Sequence, residues 1–207
     1  MLVHLRPIRY CFLLLALVAL SACAERNPNL PRLGPDDVVL AFGDSLTYGT
    51  GASAEESYPE VLSRLIGRTV VASGVPGERT AGGLARLASV LDTHRPRIML
   101  LCLGGNDMLR KVGADETEAN LREIIETARE QDVAVVLIGV PKLALFGGAA
   151  DFYQRIADDY ALPYEGDVLP RILRNNEYKS DPVHPNARGY RMLATALAEV
   201  LKNGGAI

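Results

Sequence analysis

Apolar positions along this chain follow two rhythms that take turns. Short unbroken apolar runs, bounded by Gly, Pro or polar clusters, predict buried strands at about 37–42, 69–73, 97–103 and 133–140. A weaker candidate for a fifth strand lies at 162–164. Between these runs the apolar residues recur every three or four positions, which predicts helices. One spans about 55–67, with Tyr58, Val61, Leu62, Leu65 and Ile66 on its stripe. A second spans about 79–93, with Leu84, Leu87, Val90 and Leu91. A third runs over about 116–130, with Asp115 as N-cap, Glu118 completing a capping box, and Leu121, Ile124, Ile125 and Ala128 facing inward. Further helices are predicted at about 149–160, 168–174 and 186–202. The last carries Tyr190, Leu193, Leu197, Val200 and Leu201 on its buried face. Strands alternating with helices in this way predict an α/β fold with a parallel sheet covered on both faces.

The front of the chain follows neither rhythm. Arg6 and Arg9 precede an unbroken apolar run from Cys11 to Leu20, long enough for a signal sequence and too short to span a bilayer. Leu20-Ser21-Ala22-Cys23 follows and resembles a bacterial lipobox, in which the cysteine is lipidated and becomes the new N-terminus. An ordinary signal peptide cut near Ala22 or Ala24 is the alternative. Residues 24–35 hold Pro28, Pro31, Gly34 and Pro35 with little periodicity and read as a linker. The expected organisation is a lipoprotein signal peptide at 1–22, a lipidated linker at 23–35 and one domain at 36–207. Ala24 after the lipidated cysteine resembles the outer-membrane sorting pattern of Gram-negative lipoproteins. The expected location is therefore the periplasmic side of a bacterial envelope, on a lipid tether.

Composition narrows the choice of function. The 207 residues are 48% hydrophobic and 23% charged, with a formal net charge of −3, as in an ordinary globular domain. Loss of Arg6 and Arg9 with the leader makes the chain two units more acidic. No basic face for nucleic acid is indicated. Cys102 would be the sole thiol of the processed chain and lies in the run Ile98–Leu103, so a core position is expected. With two histidines left and no cysteine cluster, neither a metal nor another cofactor is expected.

Each predicted strand is followed by an unusual loop: Gly43-Asp44-Ser45-Leu46-Thr47, then Ser73-Gly74-Val75-Pro76-Gly77, then Gly104-Gly105-Asn106-Asp107. A fourth, Asp181-Pro182-Val183-His184-Pro185-Asn186, precedes the last helix. Right-handed crossovers put the loops that follow parallel strands on one edge of the sheet, where ligand crevices form. With these four motifs over about 37–202, the chain resembles the SGNH hydrolases, also called the GDSL esterase and lipase family. Within it the likeness is to the periplasmic thioesterase I, lysophospholipase L1 and arylesterase group. Gly77-Glu78-Arg79-Thr80 with Gly83-Leu84-Ala85-Arg86-Leu87 adds to that likeness. So does Leu103–Asp107 followed by Leu109-Arg110. One departure is Ala72-Ser73-Gly74, where many members carry Asn before the second-block turn.

The resemblance implies a three-layer, flavodoxin-like α/β/α fold with about five parallel strands. It implies Ser45 as nucleophile, Asp181 and His184 as its partners, and Ser45, Gly77 and Asn106 around the oxyanion. The residue types fit. Asp181 and His184 are three apart, close enough to meet on a tight turn, so the carboxylate can hold the imidazole while the imidazole takes the Ser45 proton. Backbone N–H groups at Ser45 and Gly77 with the Asn106 amide make a donor set for an oxyanion. Asp44 and Asp107 read as braces for the loops, and His94 as a helix-end residue. No Gly-x-Ser-x-Gly elbow and no P-loop is present. The implied activity is serine hydrolysis of carboxylic esters through an acyl-enzyme, extending to thioesters or lysophospholipids, by a monomer. The segment 141–147 falls where the family binds acyl chains. Rival readings are an envelope glycan O-acetylesterase or O-acyltransferase on this scaffold, and a non-catalytic lipoprotein that binds acyl lipids.

Overall fold

The computed structural model describes residues 30–142 and 148–207. The expected signal peptide, Cys23 and most of the 141–147 segment lie outside them. Five strands form one parallel sheet: β1 Val38–Gly43, β2 Thr69–Gly74, β3 Ile98–Cys102, β4 Ala134–Ile138 and β5 Tyr164–Glu165. Their spatial order is β2-β1-β3-β4-β5. The chain leaves β1 toward β2, then returns across β1 to β3, so the order reverses at the end of β1. A crevice opens at such a switch point, outside the carboxyl ends of the strands.

Helices cover both faces. α1 (Ser45–Tyr48) is a single turn directly after β1. On one face α2 (Tyr58–Ile66) packs on α8 (Ala187–Asn203), with α7 (Val168–Arg174) beside α8. On the other, α3 (Thr80–His94) packs on α5 (Ala114–Glu130), and α6 (Asp151–Tyr160) lies against α5 and β4. α4 (Gly105–Leu109) is a short helix after β3. β1, β3 and β4 sit mid-sheet and are buried at nearly every position, as their apolar runs require. Cys102 is fully buried in this core.

Four expectations are corrected. Leu65, assigned to the α2 stripe, is 51% exposed, because the helix buries Tyr58, Val61 and Leu62 instead. α5 starts two residues earlier than expected, with Gly113 in the cap position. Asp115 therefore sits in its first turn, where a negative charge suits the helix dipole, and Glu118 pairs with Arg122 (2.8 Å) and Arg155 (2.6 Å). β5 has only two residues and starts at Tyr164 rather than 162. The predicted linker is anchored from Leu30 onward. Leu30 and Leu33 are buried, and their N–H groups donate to Gly204 and Ala206 (2.8 Å each). Proline spacing hid two apolar residues that dock on the end of α8.

Candidate active site

Ser45 opens α1 where β1 ends. Asp44 caps that turn: its Oδ1 accepts the Leu46 N–H at 3.0 Å, and its Oδ2 accepts from Asn106 Nδ2, also at 3.0 Å. Asp44 is 2% exposed. Burial pushes its carboxyl up to about 6, against the pull of those two donors and of the nearby His184. A carboxylate can only accept, so this contact fixes the Asn106 amide with its N–H group turned toward Asp44 and the Ser45 turn. The brace expected at Asp44 thus orients another loop as well as its own.

The Asp181–His184 segment is held locally. Asp181 Oδ1 accepts the N–H groups of Val183 (2.8 Å) and His184 (2.9 Å), which curls the segment into a turn. Asp181 Oδ2 lies 2.7 Å from His184 Nδ1, and His184 Nε2 lies 3.0 Å from Ser45 Oγ. Partial burial works to raise the Asp181 pKa. The hydrogen bond from the His184 ring, the Val183 N–H and the charge and N–H of His184 outweigh it, so the carboxyl sits below its ordinary value. The loop closes on itself through Ser180 N to His184 O (2.9 Å) and Asn186 N to Tyr178 O (2.9 Å). Gly51 lets it approach Ser45. This glycine has φ +101°, and a Cβ there would collide with Ser180 and the Pro185 carbonyl.

The loops from β2 and β3 complete the crevice. Val75-Pro76-Gly77-Glu78 is a β-turn closed by Glu78 N to Val75 O (3.1 Å), with Gly77 at φ +78°. Pro second and a positive-φ Gly third is the type II pattern. Its closing bond uses the Glu78 N–H and leaves that of Gly77 uncommitted within the turn. Asp107, 1% exposed, ties this loop to the next one. Its carboxylate accepts Thr80 N (2.9 Å) and Thr80 Oγ1 (2.6 Å), and Asn120 Nδ2 donates to Thr80 Oγ1 (3.1 Å). Asp107 thereby caps α3 from another segment, and charge-assisted bonds of this kind are among the stronger ones.

Ser45, Gly77, Asn106 and His184 all line one pocket of about 220 Å³. Leu46, Leu109, Val140 and Leu173 give it an apolar wall. Asp181 stands behind His184, at the loop surface. All the predicted site residues among the described ones therefore meet at one place, and His94 ends α3 as expected. The wall residues had no signal in the sequence, since an apolar residue beside a loop reads as core. Thr80 was equally silent, because its partner Asp107 is 27 residues away. Chemically, the site offers a hydroxyl on an imidazole, a carboxylate behind that imidazole, and the Gly77 backbone and Asn106 amide lining the same pocket. That arrangement can drive acyl transfer.

Comparison with known proteins points the same way. The profile of the GDSL-like Lipase/Acylhydrolase family matches residues 41–192. Thioesterase 1/protease 1/lysophospholipase L1 of Escherichia coli (strain K12) is 29% identical over 179 residues, covering 83% of this chain and 86% of its own length. Esterase TesA of Pseudomonas aeruginosa PAO1 is 30% identical over 158 residues, covering 71% and 79%. The crystal structure of AlinE4, an SGNH-hydrolase family esterase, superposes with a TM-score of 0.64 at 32% identity, over 82% of this chain and 97% of that one. A match running through β1 to α8, on a parallel sheet whose loops bring all four motifs to one pocket, leaves one conclusion: the chain belongs to the GDSL-like lipase/acylhydrolase family, the SGNH hydrolases, and is a carboxylic ester hydrolase.

Proposed function

We propose that Ser45, His184 and Asp181 carry out ester hydrolysis through an acyl-enzyme. The observation that carries this reading is the aligned pair of contacts, Ser45 Oγ to His184 Nε2 at 3.0 Å and His184 Nδ1 to Asp181 Oδ2 at 2.7 Å. His184 takes the Ser45 proton as Oγ attacks the acyl carbonyl carbon. The tetrahedral oxyanion is met by the N–H groups of Ser45 and Gly77 and by the Asn106 amide. The His184 imidazolium, stabilised by Asp181, passes its proton to the leaving alcohol or thiol. Water, deprotonated by His184, then adds to the acyl carbon, and release of Ser45 frees the carboxylic acid.

The apolar wall of the pocket suits the acyl group. Esters of small or medium acyl chains fit a pocket of about 220 Å³; thioesters and lysophospholipids, named for the Escherichia coli relative, extend the same chemistry. An acetylated glycan would present hydroxyl groups to that wall, which makes the glycan reading the weaker one. The lipobox at Leu20–Cys23 supports a lipid tether and an envelope location. The test is labelling by a fluorophosphonate, read by mass at Ser45, with hydrolysis of nitrophenyl esters, an acyl-CoA and a lysophospholipid. Labelling that is lost in Ser45→Ala is expected. An unlabelled wild-type chain that hydrolyses none of these would restore the reading of a non-catalytic acyl-lipid binder.

A further inference from the structure

The residues facing the pocket leave Arg86 without a role. Arg86 lies on α3 beneath the Gly77 turn, and every nitrogen of its guanidinium is engaged. Nε donates to Glu78 Oε1 (2.7 Å) and Nη1 to Ser73 Oγ (2.7 Å). Nη2 reaches Glu78 Oε2 (2.7 Å), the Ser73 carbonyl (3.0 Å) and the Gly43 carbonyl (3.2 Å). The guanidinium lies over the Phe42 ring, 4.0 Å from its centroid. The Arg86 side chain is 23% exposed and that of Glu78 only 8%. Taking such a pair largely out of water carries a desolvation cost that a stability role alone repays poorly.

What the pair joins gives it a purpose. Gly43 is the last residue of β1, one step before Asp44 and two before Ser45. Ser73 lies at the end of β2. Glu78 follows Gly77, which has no side chain of its own, so it is the next handle by which the turn can be gripped. The three segments therefore include those that carry the Ser45 and Gly77 N–H groups. We propose that Arg86 is a positioning residue for ester hydrolysis, which with Glu78 fixes the spacing between the Ser45 and Gly77 N–H donors of the oxyanion hole. This rests on the reading of those donors given above. Arg86 touches no substrate and acts through the backbone it holds. A lysine cannot reproduce it, because one ammonium cannot span the Glu78 carboxylate, Ser73 and the Gly43 carbonyl together.

The test uses Arg86→Gln, Arg86→Lys and Glu78→Gln, with kcat expressed per active site titrated by fluorophosphonate. A displacement of about 1 Å at a reacting group can cost about a hundredfold. Arg86→Gln is expected to lower kcat by about tenfold to a hundredfold while KM stays within about twofold. Arg86→Lys should fall in between, and the shape of the pH profile should not change, since the His184–Asp181 pair is untouched. Combined with Asn106→Ala, Arg86→Gln should cost less than the product of the two single losses, because both damage the same oxyanion contact. Unchanged kcat per site in Arg86→Gln and Glu78→Gln would overturn the proposal. So would a loss confined to KM, or full additivity with Asn106→Ala. Should Arg86→Gln fail to fold, Arg86→Lys and Glu78→Gln are scored by the same criteria. One of these overturning results in the variants, with a wild-type chain that titrates at Ser45, refutes this proposal alone; a wild-type chain that fails to titrate refutes the serine mechanism beneath it.

Discussion

The two halves of the site are built by opposite means. The Ser45 half grows out of the sheet. β1 is paired on both sides, Asp44 and Asp107 are nearly inaccessible, and each of the loops around Ser45 is bonded to another. The His184 half is a surface loop. Asp181 is 44% exposed, and its bonds are to residues two and three positions away. One half is placed by the core and the other mostly by itself, with Gly51 and the contact to Ser45 as the join. Buried framing costs desolvation but would fix the donors proposed for the oxyanion. A local turn would be enough for the imidazole proposed to take and return a proton.

Substitutions can break this contrast, beginning with the largest effect. Ser45→Ala should lower kcat/KM by about 10⁵-fold or more while leaving the melting temperature within a few degrees, since the Ser45 hydroxyl bonds only to His184 among the described residues. Asp181→Asn should cost about 10² to 10⁴ in kcat, toward the low end if the exposed loop readjusts. A loss as large as that of Ser45→Ala would mean that the loop is held more rigidly than its own bonds imply. Asn106→Ala should lower kcat by about 10² to 10³ with little change in KM. Asn106→Asp should be at least as damaging, and a fully active Asn106→Asp would remove Asn106 from the oxyanion site.

The carboxylates of the two halves should also titrate in opposite senses. Asp44 is raised to about 6 from 3.8, so the folded chain holds that proton more tightly than the unfolded one. Its contribution to stability is greatest below about pH 4 and is lost as pH rises through about 6, on the order of 3 kcal/mol in all. Asp181 is lowered in the folded chain. Its smaller contribution is present at neutral pH and is lost as pH falls through its folded value. Melting curves across pH 4 to 8 should therefore show wild type gaining on Asp44→Asn as pH falls. A constant gap would show that Asp44 is not the buried, protonatable brace described here. The smallest effect concerns the tail. A chain beginning at Asp36 should keep its kcat but melt several degrees below one beginning at Leu30, because it loses the burial of Leu30 and Leu33. Equal melting would return residues 30–35 to the linker.

The sequence was legible where the physics is local. Apolar runs gave β1, β3 and β4, and loop residues gave all four motifs, because strand direction alone brings those loops to one edge. It was silent where one segment reaches into another. Arg86 and Glu78 stand in runs that add to the family likeness, but those runs do not tell that one side chain grips Glu78, Ser73 and Gly43 together. Thr80 looks like a helix start until Asp107 caps it. Leu30 and Leu33 look like linker because their partners are the backbone carbonyls of Gly204 and Ala206, which carry no sequence signature.

The docked tail has a consequence for direction. Leu30 and Pro31 share a surface recess with Arg97, Ala134 and Pro163, residues that enter strands, whereas Ser45 follows the exit of one. The tail and the pocket thus lie at opposite ends of the sheet, separated by about 20 Å of strand alone. The lipid tether proposed at Cys23 would leave seven residue steps before Leu30, a leash that stretches at most about 25 Å. Held on the proposed leash, the domain would open its mouth away from the leaflet that carries it. It would then draw its esters from the aqueous side, and lipids of its own leaflet would come within reach only on a longer leash.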